Sequence, residues 1–399
     1  MASRRSERAL DWLNFFVADV QTGFGPFVAV YLTAQAWTEV QIGFVLSIGT
    51  ATAMLAQVPA GMLVDATPRK RLAALVALAS IAVSALLLAA WPEWLPVIAS
   101  EVLHGVASCV LAPAVAAISL ALVGRARLGE RLGRNARYAS IGNGVAAAAM
   151  GSVGAWLSGA SVFWLTAALT VPSLIALMMI RAEDLHPPPV IRDPKTAAPR
   201  DSIWLLLRNR GVLVFALCCL LFTLSNAAML PLVGAEITRL GGEQANLVIA
   251  ACIVVPQLVV AALSPWVGRL AESRGRRIVL LLGFSALPLR GALLAVVSDP
   301  IGLAAVQALD GISAAVMGVL LPLLAADLTR GTNRFNLCMG LFGLAVGIGG
   351  TISTSLAGAV STWFGPAAAF GMLAGCGLLA IPLLLFAMPE TREKENGAA

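Results

Sequence analysis

Charge is scarce in this sequence. Asp, Glu, Lys and Arg make up 12% of its 399 residues, hydrophobic residues 59%, and the mean hydropathy is +0.87. Soluble domains carry about 25% charged residues, so a soluble chain of this make-up could not cover its own exterior. Histidine is scarcer still. His104 and His186 are the two in the chain, which argues against a metal cluster, and neither a metal nor a cofactor is expected. No G-x-x-x-x-G-K-[ST] run occurs, so nothing suggests ATP hydrolysis by this chain. No nucleophile–base arrangement stands out, and an enzyme is not expected. The six cysteines all fall inside apolar stretches. There they read as small core residues rather than as a disulfide framework.

Long apolar runs are plentiful. About 20 apolar residues cross a bilayer, and such windows lie near 10–34, 40–64, 72–91, 94–123, 137–158, 161–180, 211–235, 244–267, 278–297, 300–325, 336–358 and 364–388. The expected fold is an all-α integral membrane protein of twelve transmembrane helices. Residues 181–210 are Pro-rich and charged, and read as a cytoplasmic connector between an N-terminal six-helix bundle (1–180) and a C-terminal one (211–388). Within the connector, "DSIWLLLR" suggests a short interfacial helix capped by Asp201 or Ser202. Residues 389–399 read as a cytoplasmic tail.

Basic residues set the orientation. With both termini inside, 25 of the 27 Lys and Arg fall in cytoplasmic segments; Arg239 lies outside and Arg290 within a span. That is the positive-inside pattern. The net charge of +6 then reads as contact with anionic lipid headgroups rather than nucleic acid. Asn14 and Asp19 interrupt the first apolar stretch, which reads as an uncleaved span rather than a signal peptide. The preference for Arg over Lys, with abundant Ala, Gly and Leu, suits a GC-rich bacterial genome, hence a bacterial inner membrane.

The two halves can be laid on each other. Pro26 matches Pro231 at an offset of 205, Gly61 matches Gly268 at 207, and Gly105 matches Gly311 at 206. Internal repeats are common in secondary transporters, with substrate sites near the bilayer midplane at the repeat interface. "GMLVDATPRKR" resembles the loop signature of the major facilitator superfamily, roughly G-x-L-a-D-r-x-G-r-r-r. Gly61, Leu63, Asp65, Arg69, Lys70 and Arg71 match it, while Ala66 and Pro68 depart. The second copy keeps Gly268, Leu270, Gly275, Arg276 and Arg277, with Glu272 for the aspartate. The resemblance implies a cytoplasmic gate in which the carboxylate pairs with basic residues and a neighbouring helix N-terminus, then releases. In span 4, Glu101 stands where the family often has arginine. In span 5, Gly142, Gly151 and Gly159 keep the spacing of the drug-antiporter glycine pattern, with Ala155 and Trp156 replacing its Gly-Pro.

Several polar residues sit deep in apolar windows. Glu101, His104, Gly105 and Ser108 share one face of a helix, as do Gln307, Asp310 and Gly311. At 1.5 Å per residue, Glu101 lies roughly 13 Å, Asp310 roughly 15 Å and Arg290 roughly 12 Å from the outer ends of their spans. A charge facing lipid there costs at least about 2.5–3.5 kcal/mol, so these stripes are expected to face the bundle or a watery cavity. The resemblance implies the same, since the first and fourth spans of each half line the family's cavity. Glu101 and His104 are expected to act as a pair, and Arg290 to meet Asp310 or Glu101 or to snorkel outward. Asp19 and Asn226 complete the candidate proton-coupling or substrate residues.

The function expected is proton-coupled export of a small organic molecule, such as a drug or a secreted metabolite, by a monomer in contact with protons and membrane lipids. Proton-coupled uptake of a nutrient is the alternative. A non-transporting membrane receptor is a third, weakened because no sizeable soluble segment is evident.

Overall fold

The computed structural model describes residues 3–22, 24, 26–186, 206–240 and 245–392. Most of the connector, the start of its expected interfacial helix with Asp201 and Ser202, and the tail beyond residue 392 lie outside the described residues.

The described residues are helical, with no strand among them. In the first half run α1 (Arg4–Thr22), α2 (Pro26–Ala34), α3 (Glu39–Ala66), α4 (Lys70–Ala90), α5 (Trp94–Val123), α6 (Leu128–Trp156) and α7 (Gly159–Met179). The second half holds α8 (Arg210–Asn226), α9 (Met229–Leu240), α10 (Ala245–Arg274), α11 (Arg276–Val296), α12 (Pro300–Val306), α13 (Ala308–Leu328), α14 (Phe335–Phe364) and α15 (Pro366–Phe386). α1 with α2, α8 with α9, and α12 with α13 each make one broken span, which gives twelve spans, six per half.

Ten described helical stretches are long and apolar enough to cross a membrane. The first span and α6 are not among them. α6 starts at Leu128, nine residues before the apolar window opens at 137, and carries Glu130, Arg131, Arg134 and Arg137 in its first three turns. Hydropathy sees only the apolar part. Leu, Arg and Glu are good helix formers, so the helix extends through the polar stretch ahead of the apolar window.

Contacts divide the chain into two compact units. Unit 1 comprises residues 1–128, 134–192 and 331–344; unit 2 comprises 129–133, 193–330 and 345–399. Each unit thus holds most of one half plus a helix start from the other: 335–344 of α14 in unit 1, and the first turn of α6 in unit 2. The core of unit 1 is built on Leu78, Ile81, Leu88, Leu111, Ile118 and Phe163, all fully buried. In unit 2, Met229, Val233, Cys252, Leu303, Phe370 and Leu373 form an equivalent cluster. Large apolar side chains such as Leu55, Trp156, Leu258, Ile301 and Phe386 stay exposed, as a lipid-facing exterior requires.

Lipid is as apolar as leucine, so helix association in a membrane relies on close packing at small residues. The internal repeat is visible in that packing. A Cβ on Gly105 of α5 would lie 3.1 Å from the Gly49 carbonyl of α3; one on Gly311 of α13 would lie 2.7 Å from the Pro256 carbonyl of α10. Gly61 of α3 meets the Asn336 carbonyl, and Gly268 of α10 meets the Gly129 carbonyl, each too closely for any side chain. The first span of each half also breaks at matching places, after Thr22 and after Asn226.

Candidate functional site

In unit 1, α5 carries Glu101 seven residues, about 10 Å, in from its first residue, Trp94. Glu101 is 7% exposed, and among the described residues its carboxyl makes no ion pair; Oε1 has no hydrogen-bond partner. Space for it is provided by Gly49, where a Cβ would overlap the carboxyl oxygen. Beside it, Ser84 and Ser100 each donate to the other's carbonyl at 2.8 Å and fix α4 to α5. His104 follows one turn later. Its ring stacks on Phe24 with centroids 3.8 Å apart and planes at 14°, and Nε2 lies 3.3 Å from Ser108 Oγ. Nδ1 has no partner. Glu101 and His104 share a face as expected, yet they do not hydrogen-bond each other. Phe24 and Ser108, one turn further on, hold the imidazole away from the carboxyl.

Unit 2 treats its charges differently. Arg290 of α11 is 1% exposed. Its Nη1 donates to Asp310 Oδ1 at 2.7 Å and to Asn226 Oδ1, and its Nη2 donates to Gln307 Oε1 at 2.6 Å. Of the three alternatives for Arg290, the structure selects the pair with Asp310. α8, α11 and the α12–α13 junction converge to build this cluster. Asp310 remains 18% exposed on its side chain and Asn226 is partly exposed. Among the described residues, Arg290 Nε and Gln307 Nε2 have no hydrogen-bond partner. Gln307 shared the Asp310 stripe in the sequence but was not singled out.

Asp19 lies in α1 by its backbone; its side chain is outside the described residues. On the same helix, Asp11 is 2% exposed and pairs with Arg134 of α6. Sequence reasoning placed Arg134 in a loop and so missed this pair. An acid within the first apolar window was its one visible signal.

The two motif loops are built alike. In unit 1, Asp65 Oδ1 accepts from the Asn336 backbone N–H at 3.0 Å and from its Nδ2 at 2.7 Å, and Oδ2 accepts from the Leu337 N–H at 2.8 Å. The carboxylate therefore caps the N-terminus of α14, where orphan N–H groups and the helix dipole favour an anion. Gly61, one turn earlier, permits the approach. In unit 2, Glu272 Oε1 accepts from the Glu130 N–H at 3.1 Å at the start of α6, with Gly268 one turn earlier. Glu272 follows Asp65 by 207 residues, and Leu337 follows Glu130 by the same 207.

The basic residues of the motif do not reach the Asp65 carboxylate, contrary to what the resemblance implied. Lys70 Nζ donates to the carbonyls of Val64 and, at 3.3 Å, Asp65, closing the end of α3. Arg71 Nη2 donates to the Met178 carbonyl at 3.2 Å, and Arg69 is exposed. Helix carbonyls and solvent take the cations, and a helix N-terminus takes the anion. Arg276, the counterpart of Arg69, is instead buried: Nε meets Asp327 Oδ2 at 3.0 Å and Nη1 donates to the Ala271 carbonyl at 2.6 Å. Glu390 accepts the backbone N–H groups of Arg276 and Arg277 at 2.9 and 3.1 Å. Burial alone would raise its pKa, but these two N–H groups and that of Arg392 outweigh burial and hold the carboxyl below its ordinary range. Asp327 and Glu390 carried no signal in the sequence beyond being acids near span ends.

The Major Facilitator Superfamily profile matches residues 11–287 and 224–399. The chain belongs to the major facilitator superfamily. An uncharacterized MFS-type transporter of Mycobacterium tuberculosis, in strains CDC 1551 and H37Rv, is 37% identical over 408 residues, covering 98% of this chain and 95% of the relative. FucP, an MFS transporter solved in the outward conformation, superposes with a TM-score of 0.78 at 16% identity, over 96% of this chain and 98% of that one. The human organic anion transporter MFSD10 superposes at 0.70 and 17%, over 96% and 99%. These structures share the fold. As a superfamily member, the protein is a multi-pass membrane transporter acting on small molecules.

Proposed function

We propose that this superfamily member couples the movement of a small organic molecule to protons, exporting it by antiport through alternating access. Its setting is the inner membrane of a bacterium, with both termini cytoplasmic. The observation that carries the reading is the unequal treatment of two deep acids. Asp310 is matched by Arg290, which Asn226 and Gln307 also hold, so its charge is already balanced. Glu101 is buried with no cation beside it among the described residues, and an unpaired buried charge is costly. Such a carboxyl exchanges a proton whenever water reaches it, and is sealed with that proton when water is excluded. Asp310 and Asn226, the partly exposed members of the unit 2 cluster, are the substrate contacts in this scheme, with Arg290 fixing them from behind.

The glycine spacing of Gly142, Gly151 and Gly159 supports export. Uptake of an anion is disfavoured because Arg290 already commits three of its five N–H groups to Asp310, Asn226 and Gln307. Symport is the second reading, favoured by the shared fold with the E. coli fucose:proton symporter, which superposes at a TM-score of 0.70 and 16% identity. Reconstitution into proteoliposomes with an imposed pH gradient distinguishes the two. Under antiport a screened compound accumulates on the acidic side; under symport it accumulates on the alkaline side. Fluxes of all transported compounds indifferent to the gradient would remove proton coupling.

The Asp65 cap is the gate in this scheme. Hydrogen bonds to a charged group contribute about 1.5–3 kcal/mol each, part of which survives when Asn replaces Asp. Asp65→Asn is expected to shift the gate by about 1–2 kcal/mol, a factor of roughly 5–30. Transport should slow by that order while the amount in the membrane, read by immunoblot, stays at wild-type level. An undiminished rate would remove the gate.

A further inference from the structure

A groove with a volume of about 450 Å³ runs along the outside of unit 2, between the arginine-bearing ends of α10 and α11. Trp266, Leu270 and Arg274 line it from α10, at successive four-residue steps that keep them on one face. Ile278, Leu281 and Leu282 line it from α11. Trp266, Ile278 and Leu282 are 49%, 50% and 53% exposed, so this wall faces outward. Leu281 lies roughly 180° round α11 from Arg290, and the groove is therefore separate from the buried polar cluster.

Arg274 stands at one end of this apolar channel. It is exposed, and among the described residues it makes no hydrogen bond or ion pair. Its neighbours are committed: Arg276 to Asp327 and the Ala271 carbonyl, and the Ser273 carbonyl to Arg392 Nη1. Trp266 lies eight residues, about 12 Å, further along the helix. The groove thus presents one free guanidinium at its mouth and an apolar bed running away from it along the spans. A guanidinium binds phosphate by paired N–H donors, and the bed accepts hydrocarbon.

We propose that this groove holds a membrane glycerophospholipid with a net-negative headgroup, its phosphate on Arg274 and an acyl chain along Leu270, Trp266, Ile278 and Leu282. The occupant is a lipid rather than a soluble anion because the charge is single and the remaining lining is apolar apart from Ser285, whose hydroxyl donates to the Leu281 carbonyl. The site does not depend on the proton-coupling reading.

Native mass spectrometry of the delipidated full-length protein in detergent, titrated with phosphatidylglycerol, phosphatidylcholine or glycerol 3-phosphate, tests this. A basic residue at a membrane surface contributes about 1 kcal/mol to anionic lipid binding, which is about fivefold in affinity. Wild type should favour phosphatidylglycerol over phosphatidylcholine by about that factor, and Arg274→Gln should abolish the preference. Arg269→Gln, exposed on another face of α10, should keep it. Leu282→Trp, which fills the bed, should weaken both lipids. Equal phosphatidylglycerol binding by wild type and Arg274→Gln overturns the site. So does an equal loss in Arg269→Gln, which would mark diffuse charge, or unchanged lipid binding in Leu282→Trp. Displacement of phosphatidylglycerol by glycerol 3-phosphate at matched concentration would likewise overturn it, in favour of a free-anion site.

Discussion

Glu101→Gln is expected to abolish gradient-driven accumulation while leaving exchange at equal pH. A difference of one pH unit is worth about 1.4 kcal/mol per proton, so a transporter moving one proton per substrate can build a tenfold concentration ratio. With Gln at 101 no proton is carried, and the ratio should fall to about one. The substitution keeps size and hydrogen-bonding capacity, and among the described residues the site contains no cation whose balance would be upset. The space beside Gly49 accepts an amide as it accepts a carboxyl. Folding and membrane insertion should therefore persist, which separates loss of coupling from loss of protein. Accumulation assayed in proteoliposomes, alongside counterflow at equal pH, reads both quantities. A variant that still accumulates substrate tenfold would assign the proton elsewhere.

The second large effect concerns Arg290. It is 1% exposed and is held by acceptors from three segments of unit 2. Removing one partner of a buried ion pair costs about 3–5 kcal/mol, because the other charge is left uncompensated, whereas replacing both with apolar groups is often neutral. Arg290→Met alone leaves Asp310, and Asp310→Asn alone leaves the guanidinium. The first should be the milder, since Asp310 is 18% exposed on its side chain and water can reach it. Asp310→Asn should cost near the upper end of that range, and Arg290→Met near or below the lower. The double variant Arg290→Met/Asp310→Leu should recover much of the loss. Thermal midpoints in detergent check this: two lowered singles and a restored double are expected. Additive losses would show that the pair is not a balanced unit.

Much of the fold was legible because a bilayer demands long apolar windows, and ten helical stretches satisfy that demand outright. α6 was read nine residues short because its first turns are polar and hydropathy has no term for a charged helix end. The repeat was legible in Gly61 and Gly268, since close approach excludes every side chain at both places. The resemblance implied a helix N-terminus as partner of Asp65, but not which one. The Asn336 and Leu337 N–H groups of α14 supply it, and any sequence can supply backbone N–H groups. Glu101 and His104 looked like a pair because three residues bring side chains to one face. Which neighbour each then takes depends on Phe24, 80 residues away in sequence, and on Gly49. The Arg290 cluster was half legible: Asn226, Arg290 and Asp310 were conspicuous in apolar windows, but Gln307 was not, and their convergence needed three spans in place.

The most direct measurement of the central claim follows protons rather than substrate. A pH-sensitive dye sealed inside proteoliposomes reports luminal pH when a transported compound is added outside. For wild type the pH should change with substrate entry, by one proton equivalent per molecule moved. With Glu101→Gln, substrate should still cross down its own gradient and the luminal pH should stay flat. A matching pH change in that variant would contradict the role assigned to Glu101.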